Sequence, residues 1–344
     1  RRQRQMCIRD RMYWHWHSIH NSFETYWKGL LSHDFQENAT YREACTIGNE
    51  FARLGKHLVN LKKKNEVAVL VSNEALTALN WFRIQEQAPG ADAKSIYYND
   101  VMRWMYDTLY HMNVECDFIW PESENLEQYK AIVVPALYAA PDELLIRLKQ
   151  YVENGGTLIA SFKTAFANEN VKVSHQVQPH ILSNCFGVHY DQFTFPKNVG
   201  LTGEVIPEKT DQKGNAHPAA NVFMELLVSE GAEVLASYEH YNWKDYAAIT
   251  RNHYGKGQAV YIGCMTDEET LKSVYKAVLP EAGVEIPEYH YPIIVRKGLN
   301  DLGKTVCYFL NYSGMELEMP YDYKNGIEPV SYTHLRAHET CADL

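Results

Sequence analysis

Hydrophobic and polar positions divide the chain into segments of different period. From Ala44 onward, apolar residues recur at Ile47, Phe51, Leu54, Leu58 and Leu61, the three-and-four spacing of one helix face. Thr40 and Glu43 form a capping box before that stripe, and Lys62, Lys63 and Lys64 close it where cations suit the negative helix end. From residue 66 the period changes. Residues 67–71 (VAVLV) are apolar throughout, as in a strand buried on both faces. A helical stripe follows at Tyr98, Val101, Met105, Leu109 and Met112, then apolar strands at 116–119 and 131–134. A helix over 141–152 opens with Pro-Asp-Glu and stops at Gly155-Gly156, and a strand at 157–161 comes next. Short apolar strands alternating with amphipathic helices predict a parallel sheet covered on both faces.

Residues 185–264 read as richer in strands, including 233–237 and 258–263. Thr266-Asp-Glu-Glu269 caps a helix through Leu279, and 293–318 reads as two strands of an all-β module. Gly255-Lys-Gly257 invites a phosphate-loop reading, but a strand follows where a helix is needed, so it predicts a hairpin turn. The run Asp267-Glu268-Glu269 is a helix N-terminus, not a catalytic pair.

Composition narrows the function classes. The net charge is −10, which repels polyanions and leaves a neutral ligand unaffected. No run of ~18 apolar residues is present, so no membrane partner is expected. Cysteines stand at 7, 45, 116, 185, 264, 307 and 341 without a Cys-x-x-Cys pair. That spacing predicts reduced core thiols of a cytoplasmic protein and no zinc site. The ends read differently. Segments 1–11 (RRQRQMCIRDR) and 330–344 (VSYTHLRAHETCADL) resemble translated sequencing-adapter DNA and are set outside the fold. A basic arm for nucleic acid is the alternative for the first, but no second basic patch or base-stacking platform accompanies it.

The chemistry concentrates in residues 13–34, which hold three of the seven tryptophans, four histidines and Glu24. Flat aromatic faces cover the apolar face of a sugar ring, and a carboxylate accepts its hydroxyl protons. The plain alternative is an aromatic core strand followed by a loop. His15 and His17 alternate, with His20 and His33 nearby, but nothing completes a metal-ligand spacing, so hydrogen-bonding histidines are expected and no metal or other cofactor.

The wording Tyr-Trp-His-Trp, then Phe-Glu-Thr-Tyr-Trp-Lys-Gly, then Leu-Ser-His-Asp resembles the last barrel strand and following loop of family 42 glycoside hydrolases, the bacterial β-galactosidases. The likeness covers about residues 12–325. It implies that Glu24 contacts galactose in the innermost subsite and that Trp27, standing where some members carry His, lines the same subsite. It implies an α/β protein: the remnant of a (β/α)8 barrel over 12–64, a flavodoxin-like, glutamine-amidotransferase-like trimerisation domain over 65–284, and a truncated all-β domain over 285–329. Such enzymes hydrolyse terminal β-D-galactosides with retention, using two carboxyl groups ~5–5.5 Å apart. The family's two catalytic glutamates stand on the fourth and seventh strands of a barrel of about 250 residues. The resemblance places residue 12 at the eighth strand. No catalytic residue is therefore expected in this chain, which by itself should be inactive. Partners expected are the β-galactoside of the parent enzyme and further copies forming a trimer. The rival class is a non-catalytic oligomerisation or carbohydrate-binding module. Amidotransferase activity itself is not expected, since the strand at 131–134 runs into Pro135-Ala-Leu-Tyr138 with no Cys or Ser nucleophile.

Overall fold

The computed structural model describes residues 15–21, 23–26, 29–84, 95–197, 199–207, 219–220, 222–317 and 341–342. The chain divides into two compact units: residues 1–63, 297–309 and 315–344 form one, and residues 64–296 with 310–314 form the other.

In the first unit, helix α1 (Ala39–Leu58) carries the predicted stripe, but its cap differs from expectation. Asn38, not Thr40, caps it, accepting the Tyr41 N–H at 3.0 Å; Asn38 is extended and places Oδ1 over the open first turn. The helix stops at Leu58 rather than Leu61. Asn60 turns left-handed at φ +57°, and Lys62 then exchanges backbone bonds with Leu299 at 2.7 and 2.9 Å. None of the residues of α1 is buried. The strand expected upstream starts outside the described residues, and among the described residues 15–21 no extended ladder is present. His17 makes a single bridge to Leu31, because a ladder needs an extended neighbour and the described partner here is a loop.

The second unit is built on one large sheet. Its strands are β1 (Val67–Leu70), β2 (Cys116–Ile119), β3 (Ala131–Val134), β4 (Thr157–Ser161), β5 (Val188–Thr194), β6 (Val199–Gly203), β7 (Ala219–Ala220), β8 (Met224–Ser229), β9 (Glu233–Glu239), β10 (Ala247–Tyr254) and β11 (Gly257–Ile262). The lateral order is β2-β1-β3-β4-β11-β10-β9-β6-β7, with β8 paired to both β5 and β10. From β2 to β11 every pairing is parallel, in the register Val67↔Cys116, Val67↔Ala131, Ala131↔Thr157 and Thr157↔Gln258. From β11 outward the pairings are antiparallel, starting with the β10–β11 hairpin that closes at Tyr254↔Gly257. Gly255 takes φ +59° at its tip, so Gly255-Lys-Gly257 is a turn between antiparallel strands.

Both faces of the parallel part are covered, as the unbroken apolar strands require. Val67 and Val69 point to one side, packing with Met105 and Leu109 of α3 (Tyr98–His111) and with Leu271, Val274 and Tyr275 of the Asp267-capped helix Glu268–Val278. Ala68 and Leu70 point to the other, meeting Leu144, Leu148 and Tyr151 of the helix Asp142–Glu153. A helix absent from the sequence-based expectation, α2 (Asn73–Trp81), follows β1; Ser72 caps it, and the helix buries its Ala75, Ala78 and Leu79. Tyr151 sits wholly inside and donates its hydroxyl to the Tyr129 carbonyl at 3.0 Å. Tyr151→Phe removes one neutral hydrogen bond at unchanged shape, so a loss of about 1 kcal/mol in urea unfolding is expected.

Among the described strands, β2 is the outermost member on the parallel side. Its Asp117 accepts from Asn65 Nδ2 at 2.6 Å and from the Tyr129 hydroxyl at 3.0 Å. A second sheet has the order β12 (Ile293–Leu299), β13 (Thr305–Asn311), β14 (Cys341–Ala342). The first two lie where the sequence predicts an all-β module, and β14, from the segment expected outside the fold, pairs with β13 at Cys307↔Ala342.

Candidate functional site

In the first unit, the backbone of Glu24 lies in a short 3-10 turn, Phe23–Tyr26. The Glu24 side chain and the whole of Trp27 lie outside the described residues. Around them the histidines bond to the main chain. His33 Nε2 donates to the Thr25 carbonyl at 2.8 Å, pinning the turn, and His20 Nε2 donates to the His33 carbonyl at 2.6 Å. His17 and His20 flank Phe35 at ring distances of 4.7 and 5.3 Å. Gly29 donates to Ser18 Oγ at 3.2 Å, and a Cβ there would collide with the backbone of His17. The segment is thus a turn stapled by imidazoles beside aromatic rings.

In the second unit, the carboxyl ends of the parallel strands are where open α/β sheets bind ligands. After β3 the chain runs through Pro135 to Ala136, held at φ +35° with its N–H on Ser161 Oγ at 2.8 Å. Neither residue is a nucleophile. The buried thiols of Cys185 and Cys264 are pushed up to about 12 by burial, so neither supplies a thiolate near neutral pH.

The group that sequence reasoning missed is Glu225 of β8. Its carboxylate is fully buried, accepting the Lys163 N–H at 2.8 Å and the Tyr261 hydroxyl at 2.8 Å. Burial pushes this carboxyl from 4.5 up to about 7, against the pull of those two bonds and of the Lys163 charge. Lys163 follows β4 at φ +61° and lays its ammonium over Phe223 at 4.7 Å and Phe193 at 5.3 Å, with Phe166 and Tyr138 at 5.6 and 5.7 Å. Its pKa falls through burial, with Glu225 opposing. The cluster joins the parallel and antiparallel parts of the sheet through hydrogen bonds, and its aromatic walls are occupied by the lysine. The only sequence signal is a carboxylate inside an otherwise apolar strand.

A cleft of about 560 Å³ opens beside the start of the helix Asp142–Glu153, lined by Asp142, Glu143, Asn168, Glu169, Lys172 and His180 among others. His180 bonds Asp142 at 3.1 Å across it. Its lining contains no aromatic ring apart from imidazoles, so it lacks the platform a sugar face needs. Among the described residues no helix is long and apolar enough to cross a membrane.

The two helix-covered faces and parallel strands define a mixed α/β protein. Residues 65–285 match the family described as the β-galactosidase trimerisation domain, about two thirds of the chain. The chain therefore belongs to that family, within glycoside hydrolase family 42. A β-galactosidase of Planococcus sp. strain L4 is 28% identical over 295 residues, covering 84% of this chain and 42% of that protein. One from Heyndrickxia coagulans is 28% identical over 274 residues, covering 79% and 39%. The chain thus spans about two fifths of the length of the curated relatives it matches. The crystal structure of a β-galactosidase from Bacillus circulans sp. alkalophilus superposes with a TM-score of 0.78 at 22% identity, covering 95% of this chain and 48% of that one. A β-galactosidase from the Antarctic haloarchaeon Halorubrum lacusprofundi gives 0.77 at 22%, covering 96% and 47%. These likenesses show the fold.

Proposed function

We propose that this chain is part of a retaining β-galactosidase that removes terminal non-reducing β-D-galactose, with Glu24 and Trp27 lining the galactose subsite. The observation that carries this reading is the likeness to proteins named β-galactosidases, which at 84% of the chain extends past the matched domain into its flanks. In this reading residues 12–64 end a (β/α)8 barrel. The absence of any buried residue on α1 supports it, because an outer barrel helix buries its stripe against neighbouring strands. Residues 65–284 form a flavodoxin-like, amidotransferase-like domain. Support comes from the parallel order β2-β1-β3-β4-β11, which has the 2-1-3-4-5 arrangement of that fold, with no nucleophile at the turn after β3. Residues 285–329 begin a C-terminal β domain, for which β12 and β13 speak. The domain's job is to associate copies of the protein into a homo-oligomer, a trimer by its family description. The thiols of Cys45, Cys185 and Cys264 are free, which favours a reducing, cytoplasmic setting.

The test is Glu24→Ala in the whole enzyme. Hydroxyl contacts to the sugar strengthen in the transition state, so kcat/KM on a nitrophenyl β-galactoside should fall roughly a hundredfold, about 3 kcal/mol, with the fold intact. An unchanged kcat/KM removes Glu24 from the subsite.

A further inference from the structure

Helix α2 buries its alanines and Leu79 but ends on two large rings turned outward: Trp81 is 82% exposed and Phe82 58%. Beside them is a groove of about 340 Å³ lined by both rings together with Thr77, Ala78 and Val171, with Glu74 and Glu169 among its polar lining. Val173 and Val177 on the same stretch are also more than half exposed. The loop presenting these valines is not slack. Val171 takes φ +61°, a costly conformation for a β-branched residue, and Asn168 holds it there. The Asn168 side chain accepts the N–H of Asn170 at 3.1 Å and of Lys172 at 3.0 Å, and its carbonyl accepts that of Val171 at 2.9 Å. A strained loop pinned in one shape to display apolar side chains is preorganised for contact.

We propose that this groove is a contact surface between copies of this chain, anchored by Trp81 and Phe82. The inference rests on the self-association proposed above and names its location. A second copy is the occupant the observations favour. The residues lie inside the stretch matching a family described by its trimerisation. Trp and Phe at the centre of a patch with a polar rim is the composition of a protein interface. Each such ring brings ~150–250 Å² of surface, so two of them with the valines supply the core of a standard half-interface of ~800 Å². The groove's exposed lining is mostly apolar, as a protein contact requires, and its acidic side chains Glu74 and Glu169 disfavour anions. Three copies in a closed ring meet head to tail, so the anchors need only fit a different surface on the neighbour.

The experiment is sedimentation velocity across a concentration series on the full 344-residue chain, on Trp81→Glu, on Phe82→Glu, and on Trp120→Glu. Trp120, 50% exposed just after β2, is a control indole outside the groove. The wild-type chain and Trp120→Glu should form an oligomer of defined stoichiometry. Trp81→Glu and Phe82→Glu should raise its dissociation constant at least a hundredfold, with circular dichroism and unfolding midpoint unchanged. A wild-type oligomer that persists in both groove variants overturns the surface while leaving self-association standing. Equal dissociation by Trp120→Glu also overturns it. A wild-type chain monomeric at every concentration removes self-association and the surface together.

Discussion

Glu225→Ala should cost about 3–5 kcal/mol of stability, measured as the free energy of urea unfolding at pH 6. The substitution leaves the Lys163 N–H and the Tyr261 hydroxyl as buried groups without their partner and opens a void in a fully buried site. The same carboxyl should give the wild type a distinctive pH profile. Its pKa is 4.5 in the unfolded chain and about 7 when folded, so between those values the folded state holds the proton and the unfolded state does not. Stability is therefore fully present below about 4.5 and declines as pH rises to about 7, by about 3 kcal/mol if the whole shift is expressed. Glu225→Gln keeps the size and one acceptor oxygen, its amide nitrogen taking the other position, where it donates to the Tyr261 oxygen; it cannot ionise, so its profile should be flatter by that amount. An identical slope in wild type and Gln variant would assign the pH dependence elsewhere.

Gly257→Ala should be equally damaging, about 3 kcal/mol or more, for a steric reason. A Cβ at Gly257 would run into the carbonyl oxygens of Gly156 and Val152, with the Gly155 carbonyl carbon 3.0 Å away. All three are backbone, so no side chain can swing aside. β11 enters the sheet next to β4 just where the helix Asp142–Glu153 ends, and only the bare backbone of glycine allows that approach. Gly48→Ala, in α1 with open space around it, is the contrast: it should be neutral or stabilising by up to about 1 kcal/mol. Comparable losses at both positions would show that the close approach is not what makes Gly257 matter.

The parallel core was readable because its signals are local. β1, β3 and β4 are uninterrupted apolar runs, and the Asp142–Glu153 helix is framed by Pro141 and Gly155, so pattern and caps agree with the packing. α2 was not readable: nine residues rich in alanine give too weak a stripe, and its cap, Ser72, looks like any loop serine. The cap of α1 shifted to Asn38 because several polar residues precede the helix and only geometry chooses among them. Around residues 15–34 aromatic alternation suggested a strand, but pairing depends on a neighbour that no local pattern supplies. Glu225 shows the limit most clearly. Its partners Lys163 and Tyr261 lie 62 and 36 residues away, so the carboxylate's setting exists only after the sheet has assembled. The sugar-site reading of Glu24 and Trp27 came from resemblance to a family, not from spacing.

The outermost strand on the parallel side carries its own safeguard. Asp117 sits in the middle of β2, its carboxylate spoken for by Asn65 and Tyr129. A foreign strand zipping onto that border would bring its backbone alongside a negative charge and force it out of water, which is how natural sheets discourage open-ended growth. Copies of this protein are thereby steered away from fibre-like stacking and toward encounters through side chains, which can close on themselves and stop.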